Sequence, residues 1–319
     1  MLRTPLCGLL GIEAPIICAP FGPWEQVELA AAVSAAGGLG SVGTGLRTPD
    51  ELRAQWRRLR ELTGHPFAIN HTIRPFDEAA FEATLEARPA AISFHLGVPA
   101  DLVERAHDAG ILWIQQVVDR REAEQAVAAG ADVIVAQGGE AGGHSGWVST
   151  MVLVPQVADL AGDVPVVAAG GIADGRGLAA ALTLGAQGVS MGTRFLASEE
   201  LGIADAWKQR VLAAEATDAV KVVNSERVLP PYNRPGARVE PRALTTPLVD
   251  ALRDHPEWLD PRAMGARMRE AVLSGGGHEY LPFAGQSAGL IDEILPAAEI
   301  VRRVVAEAEA ALAAAVRVS

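Results

Sequence analysis

The chain has 319 residues, 49% of them hydrophobic and 21% charged, with a formal net charge of −12. Such a balance excludes a disordered chain, and the length fits one large domain or two smaller ones. The acidic excess, with no Lys/Arg cluster to offset it, argues against nucleic-acid binding. Cys7 and Cys18 form neither a disulfide framework nor a metal-binding spacing, and Cys18 reads as a small buried residue. No long apolar run marks a membrane span, and MLRTPLCGLLGIEAP lacks the apolar core and cleavage site of a leader, so a cytoplasmic protein is expected.

One pattern recurs along the chain: an alanine-rich helix, a glycine, then a short apolar strand. Residues 30–36 run into Gly37, Gly38 and LGSVG; 103–109 into Gly110 and ILWIQQV; 122–129 into Gly130 and ADVIVAQ; 178–184 into Gly185 and AQGVSMG. Each glycine stands where a helix C-cap belongs. Leu29, Ala32, Val33 and Ala36 share one helical face, and the strands are continuous apolar runs, as when both sheet faces are covered. Strands are predicted at 16–19, 39–42, 67–69, 91–94, 112–115, 133–136, 166–168 and 188–190. Alternation of helix and strand means parallel βα units, and eight in succession predict an α/β fold, the (β/α)8 TIM barrel. An open doubly wound sheet is the competitor, without a GxGxxG after the first strand to support it.

After Leu201 the pattern breaks. Residues 202–274 read as helical around a Pro- and Arg-rich middle, VNSERVLPPYNRPGARVEPRALTTP, predicted to pack over the barrel mouth. A C-terminal helix is predicted over roughly 290–316, with Leu290, Ile294, Ala297, Ala298 and Val301 as its apolar stripe. The expected organisation is a barrel of residues 1–200 with 280–319, and a helical or irregular substrate-covering segment, 201–279.

In such a barrel the reactive groups stand on the loops after the strands. These loops begin with Ala19-Pro20-Phe21-Gly22, Gly43-Thr44-Gly45, Asn70-His71, His95-Leu96-Gly97 and Gln116-Val117. The sixth is AQGGEAGGHSG, residues 136–146; the last two carry Gly170-Gly171 and Met191-Gly192-Thr193. The last two form the usual phosphate corner, where bare N–H groups and a helix after Thr193 suit one phosphate monoester. One phosphate and no dinucleotide fingerprint point to FMN. Glycine loops would let backbone lie against a flat ring, and the amides of Asn70 and Gln137 can meet its heteroatoms without burying charge. His144, among Gly142, Gly143 and Gly146, is the candidate base, because neutral imidazole serves near pH 7. His95 and then His71 follow as candidates. His65, His107, His255 and His278 have no such context, and Glu140 reads as a carboxylate that bonds loop N–H groups.

AQGGEAGGHSG, followed by VPVVAAGGIADGRGLAAALTLGAQGVSMGTRF, resembles the nitronate monooxygenase family, formerly called 2-nitropropane dioxygenases. APFG near the N-terminus, Asn70 and FAGQSAGLI at 283–291 fit as well, so the resemblance spans 14 to about 200 and 283–300. It implies FMN held non-covalently by Ala19, Pro20, Phe21, Asn70, Gln116, Gln137, Gly142, Gly143, Gly170, Gly171, Ser190, Met191, Gly192 and Thr193. Gln286, Ser287 and Gly289 would approach from the C-terminal segment. It further implies His144 as base or substrate orienter, and substrate contacts at Phe21, His71 and His95. The implied reaction uses a small molecule and O2: an alkyl nitronate becomes a carbonyl compound and nitrite, with no metal, nucleic acid or membrane involved. A homodimer is an assembly to test.

Phe21 departs from the Met common after that proline, with Trp24 close by, and Ser190 from the family's frequent Gln. Residues 217–247 match loosely and leave the substrate open. The family also holds FMN-dependent enoyl-acyl-carrier-protein reductases, which would need NAD(P)H and a basic surface such as Arg227, Arg234, Arg238 and Arg242. A flavin-binding barrel without catalysis is the third reading.

Overall fold

The computed structural model describes residues 2–72, 76–229 and 238–316. Its strands are β1 (Ile16–Cys18), β2 (Gly40–Gly43), β3 (Phe67–Thr72), β4 (Ala91–His95), β5 (Leu112–Val117), β6 (Val133–Gln137), β7 (Gly143–Ser145), β8 (Val166–Ala169), β9 (Gly188–Met191), β10 (Ala219–Lys221) and β11 (Glu240–Leu244). Eight of them form one parallel sheet in the order β1-β9-β8-β6-β5-β4-β3-β2. Hydrogen bonds from Cys18 N to Leu39 O and from Leu39 N to Ile16 O, 2.9 Å each, join its ends. The sheet therefore closes into the (β/α)8 barrel and leaves no open edge. All eight predicted strands are present. β3 and β5 run further toward the mouth than predicted, which puts Asn70 and His71 on a strand rather than a loop.

Alternate residues face inward. In the lower barrel Ile17, Leu39, Ala68, Ala91, Ile114, Val133 and Val167 form one apolar core, and Leu6, Cys7, Leu10 and Ile12 plug it from below. The plug is the helix Pro5–Leu10 with its exit turn. Thr4 Oγ1 fixes it by donating to Gln187 O at 2.6 Å, and Leu6 N donates to Gln187 Oε1 at 3.2 Å. The bottom is thus closed by apolar burial, and access is confined to the C-terminal ends of the strands.

The C-terminal helix is Ala297–Val316, later than predicted. Pro296 explains the shift: Leu295, ahead of a proline, is disfavoured in helical conformation. Leu290 instead lies in the 3-10 turn Gln286–Leu290 and is 51% exposed, and the buried stripe is Ala297, Ile300, Val301, Val304 and Ala308. This helix packs on Gly175–Thr183 and Val27–Ala35, the seventh and first helices of the ring, and so takes the eighth place. Residues 197–296 are then one long excursion between the short helix Thr193–Leu196 and that eighth helix.

The excursion is not wholly helical or irregular. Its strands β10 and β11 join β7, from the sixth loop, in an antiparallel sheet of order β10-β11-β7. A small core of Val222, Val228, Ala243, Leu248, Val249, Leu252, Met268 and Leu281 lies behind it. Among the described residues no helix is long and apolar enough to cross a membrane.

Candidate active site

The barrel interior changes character toward its mouth. Above the apolar layers, inward positions on six strands carry Ser41, Asn70, Ser93, Gln116, Gln137 and Ser190, none charged, with Ala169 between Gln137 and Ser190. Asn70, Ser93, Gln116 and Ser190 are partly exposed while most of their strand neighbours are buried, so a hollow enters from the top. Asn70 Nδ2 donates to Ser93 Oγ at 3.0 Å and Ser93 O at 3.2 Å. Gln116 Nε2 donates to Gln137 Oε1 at 3.1 Å, which occupies the Gln137 carbonyl and leaves its NH2 as the group to offer.

The histidines separate by strand parity. His95, two residues after Ser93, shares its inward side and stays partly exposed. Burial lowers it to about 4, against a hydrogen bond with the His71 backbone, so it is neutral at pH 7. His71 points the other way. It is 2% exposed, lies against Phe94 with ring centroids 5.5 Å apart, and burial lowers it to about 3. Its Nε2 is 2.9 Å from Thr84 Oγ1, whose own proton goes to Ala80 O, so Nε2 carries the hydrogen; Nδ1 lies 3.3 Å from Thr44 Oγ1. Both nitrogens are engaged inside the protein, and the substrate contact expected of His71 does not fit this geometry. Cys18 is fully buried and burial pushes its thiol up, as befits a packing residue.

The sixth loop answers to protein neighbours more than to a ring. A Cβ on Gly142 would stand 2.6 Å from Ala284 C, and one on Gly138 would overlap Thr150. Gly143 has open space around it but φ +64, and so needs glycine for its conformation. Glu140 shapes the loop from within: its carboxylate accepts from Thr150 N at 2.9 and 3.1 Å and from Thr150 Oγ1 at 2.9 Å. His144 is half-buried on β7, opposite Pro241 of β11, with its ring centroid 6.1 Å from that of Phe283.

Loops six, seven and eight meet the C-terminal segment. Gln286 N donates to Glu140 O, and Gly285 N to Thr193 Oγ1, each at 2.9 Å. Gly170 (φ +99) and Gly171 (φ +75) turn beside Glu140, and Gly192 heads the helix Thr193–Leu196. That helix has a single turn, so backbone N–H groups rather than a helix dipole are what this corner offers an anion. Ala19 and Phe21 lie next to Gly192, and Phe21 N is held by Gln26 Oε1 at 2.9 Å; Pro20 lies between them in the chain. Met191 is buried in the outer core, and Ser287 is 5% exposed. Gly289 is exposed, and a Cβ there would stand 2.7 Å from Ala216 N.

A cofactor with one phosphate and a flat, uncharged heteroaromatic ring matches this donor set: left-handed glycines at the corner and neutral amides and hydroxyls in the hollow. Residues the sequence reading passed over include Ser41 and Ser93, which the two-residue alternation of β2 and β4 could have revealed. Lys221 is another, tied to the sixth loop's carbonyls together with Arg242, which the sequence offered only as surface charge. Burial and the neighbouring Arg242 lower Lys221 to about 7, with Glu240 and Glu140 opposing. Three residues of the suggested basic patch have partners within the chain, Arg238 in a surface ion pair. Arg227 donates to Pro256 O at 2.6 Å, Arg238 pairs with Asp119 at 2.6 Å and Arg242 donates to Gly139 O; Arg234 lies outside the described residues.

Residues 3–87 and 74–307 match the family model described as nitronate monooxygenase. A nitronate monooxygenase of Pseudomonas aeruginosa is 36% identical, with 94% of this chain and 97% of that protein covered. A Mycobacterium tuberculosis (3aS,4S,5R,7aS)-5-hydroxy-7a-methyl-1-oxo-octahydro-1H-indene-4-carboxyl-CoA dehydrogenase is 41% identical over 67% of this chain, which spans only 61% of that relative's length. Among solved structures, FabK from Thermotoga maritima has a TM-score of 0.89 at 34% identity with both chains fully covered. A nitroalkane oxidase from Streptomyces ansochromogenes has a TM-score of 0.82 at 29% identity, covering 97% of this chain and 99% of that one.

Proposed function

Because the chain belongs to the nitronate monooxygenase family, we propose that it holds FMN at the barrel mouth and oxidises alkyl nitronates with O2 to carbonyl compounds and nitrite. The observation that carries this reading is the uncharged hollow of the upper barrel with left-handed glycines at the end of β8, and His144 on the strand that follows β6. FMN, when bound, supplies an electron acceptor that O2 can reoxidise.

Gly170, Gly171 and Gly192 would present N–H groups to the phosphate, and Asn70, Gln116 and Gln137 would meet the ring edge. No formal charge is needed in the hollow, which avoids the cost of desolvating one. His144 acts on the substrate. With a neutral nitroalkane its imidazole removes the α-proton, which is acidic because the nitro group takes up the charge; with a ready-made nitronate it orients the anion. His95, neutral at pH 7, serves as a hydrogen-bonding wall rather than a cation. The reductase reading needs a basic docking surface, and the ties of Arg227 and Arg242 to main-chain carbonyls, with Arg238 neutralised by Asp119, speak against one.

His144→Ala tests the assignment. Turnover of a neutral nitroalkane is expected to fall by about 10²–10⁴-fold with flavin content unchanged. Full turnover by the variant would remove His144 from the chemistry.

A further inference from the structure

Lys221 lies on β10, two strands away from His144, yet its side chain reaches the histidine strand. Across β11, Nζ donates to Ser145 O, Ser145 Oγ and Gly146 O, each at 2.7 Å, and to Glu240 O at 3.1 Å. The Trp147 ring covers the ammonium, with its centroid 5.3 Å away. Ser145 is fully buried and donates in turn to Ala141 O at 3.0 Å. Arg242, on the central strand, grips the other limb: Nε and Nη2 donate to Gly139 O at 3.0 and 2.8 Å, and Nη1 to Ala219 O. Two cations from the excursion therefore hold the sixth loop by main-chain carbonyls, one on each side of His144.

We propose that Lys221 is a positioning residue for His144, holding β7 against β11 so that the 201–279 segment sets where the imidazole stands. The proposal rests on the reading of His144 as base. The side-chain chemistry suits the task. Two of the bonded groups are the main-chain carbonyls of Ser145 and Gly146, just after the histidine, so the grip acts on backbone that a side-chain change at position 144 would leave in place. Ammonium and neutral amine alike keep at least two N–H donors for these oxygens, so the grip persists on either side of neutrality. Removing the donors leaves buried carbonyls unsatisfied, and they recover partners only if β7 moves.

The test compares Lys221→Met, which keeps the stem, with Lys221→Arg, which restores donors. Each FMN-loaded variant is assayed with nitroethane and with preformed ethyl nitronate, which needs no base. Amide hydrogen exchange is followed on the unloaded proteins. Lys221→Met is expected to lower kcat on nitroethane roughly tenfold to a hundredfold, with a much smaller change on the nitronate and in KM. Exchange should accelerate at 143–147 but not across the rest of the small sheet, and Lys221→Arg should recover most of the loss. In a His144→Ala background Lys221→Met should add nothing. Equal losses on both substrates, exchange spread over the whole sheet, or no change at all would each overturn the proposal. If His144→Ala itself spares nitroethane turnover, the base reading fails instead, and exchange at 143–147 still reports whether Lys221 holds the strand.

Discussion

His71 and His95 stand on adjacent strands in opposite surroundings, and a single step of strand parity decides their chemistry. His71 is packed between Phe81 and Phe94 with both nitrogens engaged, and takes a proton only near pH 3 instead of the ordinary 6.5. Between those values the unfolded chain holds the extra proton, so stability falls as pH drops from 6.5 toward 3. His71→Gln should flatten the dependence of Tm on pH across that window, measured against wild type by calorimetry; an unchanged slope would contradict the buried, neutral assignment. The partly exposed position of Asn70 at the upper end of an apolar strand was legible in the sequence. His71 was misread because β3 extends past residue 69, and where a strand stops depends on its neighbours. Lys221 carried no signal and Arg242 only that of a surface charge: their reach to Ser145 and Gly139 exists only once β10 and β11 are folded against β7.

At the scale of elements, the central feature is an eighth helix separated from its strand by the excursion 197–296. Its seat is tight. Gly175, at the start of the seventh helix, has no space for a side chain: a Cβ would overlap Ala308 N and Glu307 Cβ, and Gly175 N donates to Glu307 Oε2 at 2.9 Å. Gly175→Ala should therefore destabilise the protein by about 1–3 kcal/mol, read by chemical denaturation; an unaltered midpoint would mean the helix does not sit there. The barrel strands were legible because each is a short apolar run before a loop, four of them just after the helix-ending glycines Gly37, Gly110, Gly130 and Gly185. β7 and β11 were not. Their sequences, GHS and EPRAL, have weak strand character, and a proline argues against a central strand. Only their pairing with each other makes them a sheet.

For the whole molecule, the fold and the family were legible from repeated units and from two glycine-rich loops, and the identity of the substrate was not. The upper hollow is built from groups that suit many uncharged rings. Residues 217–247, expected from the sequence to help form the substrate pocket, carry no motif that names a substrate. The measured resemblance runs toward nitronate monooxygenases, a nitroalkane oxidase and FabK alike, so the electron donor is the property that separates the readings. An anaerobic titration of the flavin-loaded protein isolates it. With ethyl nitronate alone the visible flavin absorbance is expected to bleach, and with NADPH alone to persist. Rapid bleaching by NADPH with none by nitronate would contradict the assigned oxidation and make enoyl thioesters the substrates to try.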